Sequence, residues 1–116
     1  MPTVLVVEDE FLVREVIQTE LEDAGYEVVV AENADVAIGA LEARSDIHLV
    51  FTDIDMPGSM DGLKLASYVR DRWPPVHIII TTGKDKPREI PANALFIPKP
   101  YVVQSVVDAV RTFEHM

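Results

Sequence analysis

Ile47-His48-Leu49-Val50-Phe51-Thr52-Asp53-Ile54-Asp55-Met56-Pro57-Gly58-Ser59-Met60-Asp61-Gly62 is the stretch that decides how this chain folds. Its apolar run, almost unbroken from Ile47, ends in the carboxylate of Asp53. Pro57 and two glycines then stop strand and helix alike. A run bounded in this way reads as a buried strand whose C-terminal end opens into a loop. In open parallel sheets that end is where ligands are handled. Asp53 therefore stands where a nucleophile or a metal ligand is useful.

Outward from there the same grammar repeats. Thr3 to Val7 is β-branched and apolar and runs into Glu8-Asp9-Glu10, a first buried strand closed by acid. From Phe11 to Ala24 the residues Val13, Val16, Ile17 and Leu21 recur at helical spacing, and Gly25 supplies a C′ stop. Tyr26 to Ala31 is a second strand, and Asn33 caps a second helix with Ala34, Ala37, Ile38 and Leu41 as its buried stripe. A third helix is predicted from about Gly62 to Arg72, with Leu63, Ala66 and Val69 inward, ended by Pro74-Pro75. Val76 to Thr82 is the fourth strand, and Leu95-Phe96-Ile97 a short fifth. Between them Gly83 to Asn93 carry two prolines and three basic residues, with room for one short helix at best. The final helix, Val102 to Glu114, is expected to bury Val102, Val106, Ala109, Val110 and Phe113. Strands alternating with amphipathic helices imply an α/β fold, a doubly wound parallel sheet covered on both faces.

A length of 116 residues suits one domain spanning 1–116, which buries roughly two-thirds of its unfolded surface. Twenty acidic against ten basic residues leave a net charge of −10, which argues against nucleic acid as a direct partner. Such a balance suits a protein that collects a divalent cation or docks on a basic surface, although solubility alone accounts for most of it. The absence of cysteine excludes thiolate metal sites, redox chemistry and disulfides. No apolar run reaches the ~18 residues of a membrane span, and no signal peptide follows Met1, so a cytoplasmic protein is expected. With the chain ending on its last helix, no attached output domain is expected either.

Several strand ends bring chemistry to one edge: Glu8 and Asp9, then Asp53, then Thr81-Thr82-Gly83, and finally Lys99 after the fifth strand. Crowded carboxylates repel unless a cation sits among them, and Mg²⁺, a hard ion that takes one or two carboxylates plus phosphate oxygens, fits best. Asp53 then acts as a nucleophile toward a phosphoryl group, while the metal and Lys99 neutralise the spreading charge and Thr82 offers a hydroxyl.

Val6-Val7-Glu8-Asp9-Glu10, Asp53-x-x-Met56-Pro57 with Asp61-Gly62, Thr82-Gly83 and Lys99-Pro100 together resemble the receiver domains of bacterial two-component response regulators, over the whole chain and in order. The resemblance implies a flavodoxin-like five-stranded sheet of order 2-1-3-4-5, the order of the chemotaxis receiver. It implies that Asp53 is the phosphoacceptor, loaded from a histidine kinase or histidine phosphotransfer protein. It implies that Asp9 binds Mg²⁺ directly, Glu8 mainly through water, Asp53 as a further ligand and Asp55 through its backbone carbonyl. Thr82 matches the switch hydroxyl, with Thr81 the alternative one register away. Lys99 matches the phosphate-pairing lysine, and Phe96 the aromatic whose rotamer reports phosphorylation, though Phe96 reads as core in either state. The implied output is a repacked protein-interaction surface that acts on a downstream protein target. Beyond self-phosphorylation and its reversal, no enzyme activity is implied.

Two departures from the family stand out. The loop Gly58-Ser59-Met60-Asp61-Gly62 is one residue longer than usual, and the segment from Thr82 to Phe96 is about five shorter, so the fourth helix of the family is abbreviated or lost. Val103 and Val107, off the main stripe of the final helix, then suggest either an apolar docking or homodimer surface with the shortened segment and the fifth strand, or burial against that segment. His48, His77 and His115 lack metal-ligand spacing and read as structural or exposed, and Trp73 as helix-end packing. Two rival readings stand beside the receiver. In a haloacid-dehalogenase-like phosphohydrolase, Asp53 is the nucleophile and Asp55 the general acid. In a receiver-like interaction module, no phosphorylation occurs.

Overall fold

A computed structural model describes residues 2–58, 60–91 and 94–114; Ser59 of the lengthened loop and His115 lie outside the described residues. The elements in chain order are β1 (Thr3–Val7), α1 (Phe11–Asp23), β2 (Glu27–Ala31), α2 (Ala34–Ala43), β3 (Ile47–Asp53), α3 (Gly62–Arg72), β4 (His77–Thr82), β5 (Ala94–Pro98) and α4 (Val103–Glu114). All strand pairs are parallel and the sheet order is β2-β1-β3-β4-β5, as the family resemblance implies.

The period of two along each strand divides the core into two layers. Leu5, Val7, Val50, Ile78 and Ile80 point to one face and pack with Ala34, Ala37 and Leu41 of α2 and Leu65, Ala66 and Val69 of α3. Val4, Val6, Leu49, Phe51 and Ile79 point to the other and meet Ile17 and Leu21 of α1 and Val106, Val107 and Val110 of α4. Helices on both faces are what a strand apolar on both sides requires, and β1 is buried at every residue.

Local signals set the helix ends. After α1, Gly25 adopts φ +100° while its N–H donates to the Glu22 carbonyl and the Tyr26 N–H donates to the Leu21 carbonyl. These two bonds form a Schellman motif, the C′ stop expected of Gly25. Asn33 caps α2 by accepting the Val36 N–H at 2.9 Å, and Asp61 caps α3 by accepting the Lys64 N–H at 2.8 Å.

Several packing expectations are corrected. Val16 is exposed, because α1 turns only the Ile17–Leu21 line fully inward. Leu65 is fully buried where Leu63 was expected to lead, and Leu63 is half-buried against the same layer. Val102 precedes α4 and is 69% exposed, whereas Val107 is 2% exposed among the residues that α1 and α4 share, so Val107 is no part of an open docking surface. The reason is that α4 packs against the sheet and α1 together, which widens its buried arc beyond one stripe. Among the described residues between β4 and β5, numbers 83–91, no helix forms. Pro87 and Pro91 withhold backbone donors and push the residues before them out of the helical region, which leaves an irregular strap with Ile90 packed on the core.

Candidate phosphoacceptor site

The C-terminal ends of β1, β3 and β4 and the residue after β5 converge. Asp53 closes β3 and is 3% exposed. Its Oδ1 accepts the Asp55 N–H at 2.9 Å, and its Oδ2 accepts the Lys99 ammonium at 2.5 Å. The Lys99 N–H donates to the Thr82 carbonyl at 2.9 Å, which ties the end of β5 to the end of β4 and so aims the lysine. The Asp53 partner raises the Lys99 pKa against the opposing effect of burial, so the ammonium stays charged.

Gly62 explains why the loop after Asp53 must carry a glycine where α3 begins. A Cβ there would lie 2.0 Å from the Asp53 backbone oxygen, and the Gly62 N–H donates to the Ile54 carbonyl at 3.0 Å. Two stretches of backbone touch at this point, so no side chain fits.

Glu8 continues the β1 ladder by donating its N–H to the Ala31 carbonyl, and its side chain is almost wholly buried at 1% exposure. Oε2 accepts the Glu10 N–H at 3.0 Å, while Oε1 is buried with no hydrogen-bond partner. Burial pushes the Glu8 carboxyl up to about 7, helped by the neighbouring Asp9 and Asp53. Arg14, a residue the sequence reading passed over, donates to the Glu8 carbonyl at 2.7 Å and fixes the start of α1 against the site.

Ligand oxygens of Glu8, Asp9 and Asp53 all lie within 4.8 Å of one another. Two buried carboxylates, an exposed third and an orphaned buried oxygen form the hard, all-oxygen donor set that Mg²⁺ takes. The residues present fit that ion.

The two threonines that end β4 differ in what their hydroxyls reach. Thr82 Oγ1 donates to Asp55 Oδ2 at 2.6 Å and accepts the Lys84 N–H at 3.1 Å. Thr81 Oγ1 is buried without a partner, its residue alternating to the opposite sheet face. The Thr82 bond, then the nearby Lys84 ammonium 3.5 Å from Oδ1, hold the Asp55 carboxyl below its usual range. The Asp55 carboxylate is thus engaged as the acceptor of the Thr82 hydroxyl, an arrangement that disfavours its use as the general acid of the phosphohydrolase reading.

Phe96 is half-buried on β5 with the Lys86 ammonium 5.8 Å from its ring centre, so it is not the core residue expected. The other side chains singled out are structural. The exposed His48 accepts the Thr3 N–H, His77 stacks on Phe113 with ring centres 4.5 Å apart, and Trp73 lies under Arg72 at the end of α3. Beside the site, Leu12, Val13, Val16, Tyr101 and Val103 line a groove of about 660 Å³ that also reaches Lys99.

Residues 4–111 match the family described as "Response regulator receiver domain". Among curated proteins the chain is 33% identical over 112 residues to the response regulator protein FleR of Pseudomonas aeruginosa, covering 92% of this chain and 23% of FleR. It is 39% identical over 89 residues to the transcriptional regulatory protein AruR of the same organism, covering 73% of this chain and 36% of AruR. The chain thus spans about a quarter to a third of the length of these relatives. Among solved structures, the response regulator protein TrrA of Thermotoga maritima in complex with Mg²⁺–BeF superposes with a TM-score of 0.85 at 30% identity, covering 97% of this chain and 99% of that one. The receiver domain of the hybrid histidine kinase CckA superposes with a TM-score of 0.81 at 30% identity, covering 96% and 97%. Among the described residues no helix is long and apolar enough to cross a membrane.

Proposed function

The chain belongs to the response regulator receiver family, and from that premise we propose that residues 1–116 form one receiver domain in which Asp53 is the phosphoacceptor of a His-Asp phosphorelay. The observation that carries this reading is the Asp53 carboxylate, buried at the end of β3, with an ammonium on one oxygen and two further carboxylates within metal-sharing distance.

In the proposed reaction an Asp53 oxygen attacks the phosphorus of a phosphohistidine, the P–N bond breaks, and the imidazole leaves with the bonding pair and takes up a proton. Lys99, already on Oδ2, stays beside the phosphoryl oxygens and offsets their charge. Thr82 supplies a hydroxyl to one of them. Glu8, Asp9, Asp53 and the Asp55 backbone carbonyl would hold Mg²⁺, which supplies charge neutralisation to the phosphoryl oxygens. Hydrolysis of the aspartyl phosphate returns the switch to rest, and no external metabolite is turned over. The TrrA complex with Mg²⁺–BeF supports this assignment.

The donor is a histidine kinase or histidine phosphotransfer protein, seated in the apolar groove between α1 and the residues after β5. That groove runs up to Lys99, so a protein lying in it can present a histidine to Asp53. The output is a downstream protein, reached through a surface that repacks with the new charge, for which Phe96 on β5 and the strap 83–91 are the candidates. The expected location is the cytoplasm, where such donors act.

Intact mass after incubation with acetyl phosphate and Mg²⁺ tests the chemistry. Wild type gains one phosphoryl group, Asp53→Asn gains none, and EDTA abolishes the gain. An adduct on Asp53→Asn, or none on wild type together with failure to bind beryllofluoride, would refute the assignment. Leu12→Asp tests the groove: transfer from a cognate kinase slows while acetyl phosphate labelling does not change.

A further inference from the structure

Thr82 has already spent the proton that phosphorylation needs. A hydroxyl carries one proton and therefore donates to one acceptor at a time. Here that proton goes to Asp55 Oδ2 at 2.6 Å, a carboxylate 27 residues away in the chain. The arrangement is reinforced around the bond: the Lys84 N–H donates to the same Thr82 oxygen at 3.1 Å, and the Lys84 ammonium stands 3.5 Å from the other Asp55 oxygen. Asp55 is itself oriented by its N–H, which donates to Asp53 Oδ1 at 2.9 Å. The acceptor that holds Thr82 is therefore built on the backbone of the loop that leaves Asp53.

We propose that the Asp55 carboxylate is a positioning residue that latches Thr82 in the resting state and competes with the phosphoryl group for its hydroxyl. The inference rests on the phosphoacceptor reading of Asp53. A phosphoryl group on Asp53 must take the Thr82 proton from the Asp55 oxygen 2.6 Å away, so the switch moves only when the new bond outweighs the old one. Hydrogen bonds to charged groups are strong enough to make this a real opponent. The Lys84 ammonium is 82% exposed at its side chain and contributes little by itself. The opponent is Asp55.

Removing the latch makes activation easier. Asp55→Ala keeps the backbone carbonyl and N–H of residue 55 and removes the competing acceptor. The measurement is the affinity for beryllofluoride in the presence of Mg²⁺, in the four proteins wild type, Asp55→Ala, Thr82→Ala and the double variant. Asp55→Ala is expected to bind about tenfold more tightly than wild type. Loss of a negative charge near the site would also tighten binding, but that effect does not depend on Thr82. The latch predicts that the gain vanishes in the Thr82→Ala background and returns with Thr82→Ser. Equal gains with and without the hydroxyl would overturn it, and so would no gain at all. If wild type with Mg²⁺ binds no beryllofluoride, the phosphoacceptor reading falls and takes the latch with it. Should Asp55→Ala fail to fold, Asp55→Asn replaces it, with a smaller Thr82-dependent gain because a neutral acceptor bonds about half as strongly.

Discussion

At Glu8 a carboxyl is buried with one oxygen bonded to the Glu10 N–H and the other without a partner, and burial pushes it up to about 7 from 4.5. The folded, metal-free protein therefore holds more protons than the unfolded chain between these two values. The stability this group contributes is complete below 4.5 and is lost as pH rises through about 7. Mg²⁺ reverses the demand, because it needs the carboxylate and must displace the proton. Apparent Mg²⁺ affinity, measured calorimetrically, is expected to weaken by up to about tenfold per pH unit below about pH 7, and Glu8→Gln to flatten that slope. Equal affinities at about pH 8 and about pH 6 would discard the assignment. Gly62 makes a second prediction at this scale. Its missing side chain lets α3 start against the Asp53 carbonyl, so Gly62→Ala forces backbone apart rather than a flexible side chain. A loss of about 1–3 kcal/mol in urea melts is expected, with weaker phosphorylation of Asp53 alongside it. An alanine variant as stable and as reactive as wild type would contradict the close approach.

Helix α4 shows how an element distributes tolerance along its length. Val107 is sealed between α4, α1 and the sheet, whereas Val102, just outside the helix, is 69% exposed. Val107→Asp places an unpaired charge in the core and is expected to cost about 3–5 kcal/mol; Val102→Asp is expected to stay within about 0.5 kcal/mol of wild type. Denaturant melts of the two variants check this, and similar midpoints would show that the buried arc of α4 is misassigned. The same helix marks where the sequence is legible. Strand ends, the Gly25 stop and the Asn33 cap are readable because each depends on neighbours within a few residues. Glu8, Asp9, Asp53 and Lys99 are readable because each ends or follows a strand, and parallel strands deliver their ends to one edge. Val107 is not readable from one helical stripe, because its burial comes from α1, far away in the chain. Nor is the Asp55–Thr82 bond, which joins the loop after β3 to the last residue of β4, two points whose separation only the folded register sets. The stretch before β5, helix-free among its described residues 83–91, lies between: its two prolines and short span argue against a full helix, while the path of the strap depends on what Ile90 can reach.

Over the whole molecule the apolar layers and the site make opposite demands. The sheet is buried on both faces, yet its C-terminal edge gathers three carboxylates in a protein of net charge −10. Whatever repulsion among them the Lys99 ammonium on Asp53 does not relieve is a cost the core must offset in the metal-free fold, which is therefore less stable than its packing would allow. An ion bound by the folded state and not by the unfolded chain adds stability as the logarithm of its concentration over Kd, about 2.7 kcal/mol at a hundredfold excess. For a domain of this size that corresponds to a Tm increase on the order of 10 °C. Two controls separate a site from general screening of the negative surface. NaCl at matched ionic strength is expected to give only a small part of the Mg²⁺ effect, and Asp9→Ala, which removes an exposed ligand without opening the core, is expected to lose most of the rise. If NaCl reproduced the whole shift, or if Asp9→Ala kept it, the gain would belong to the charge of the molecule and not to the three carboxylates at its edge.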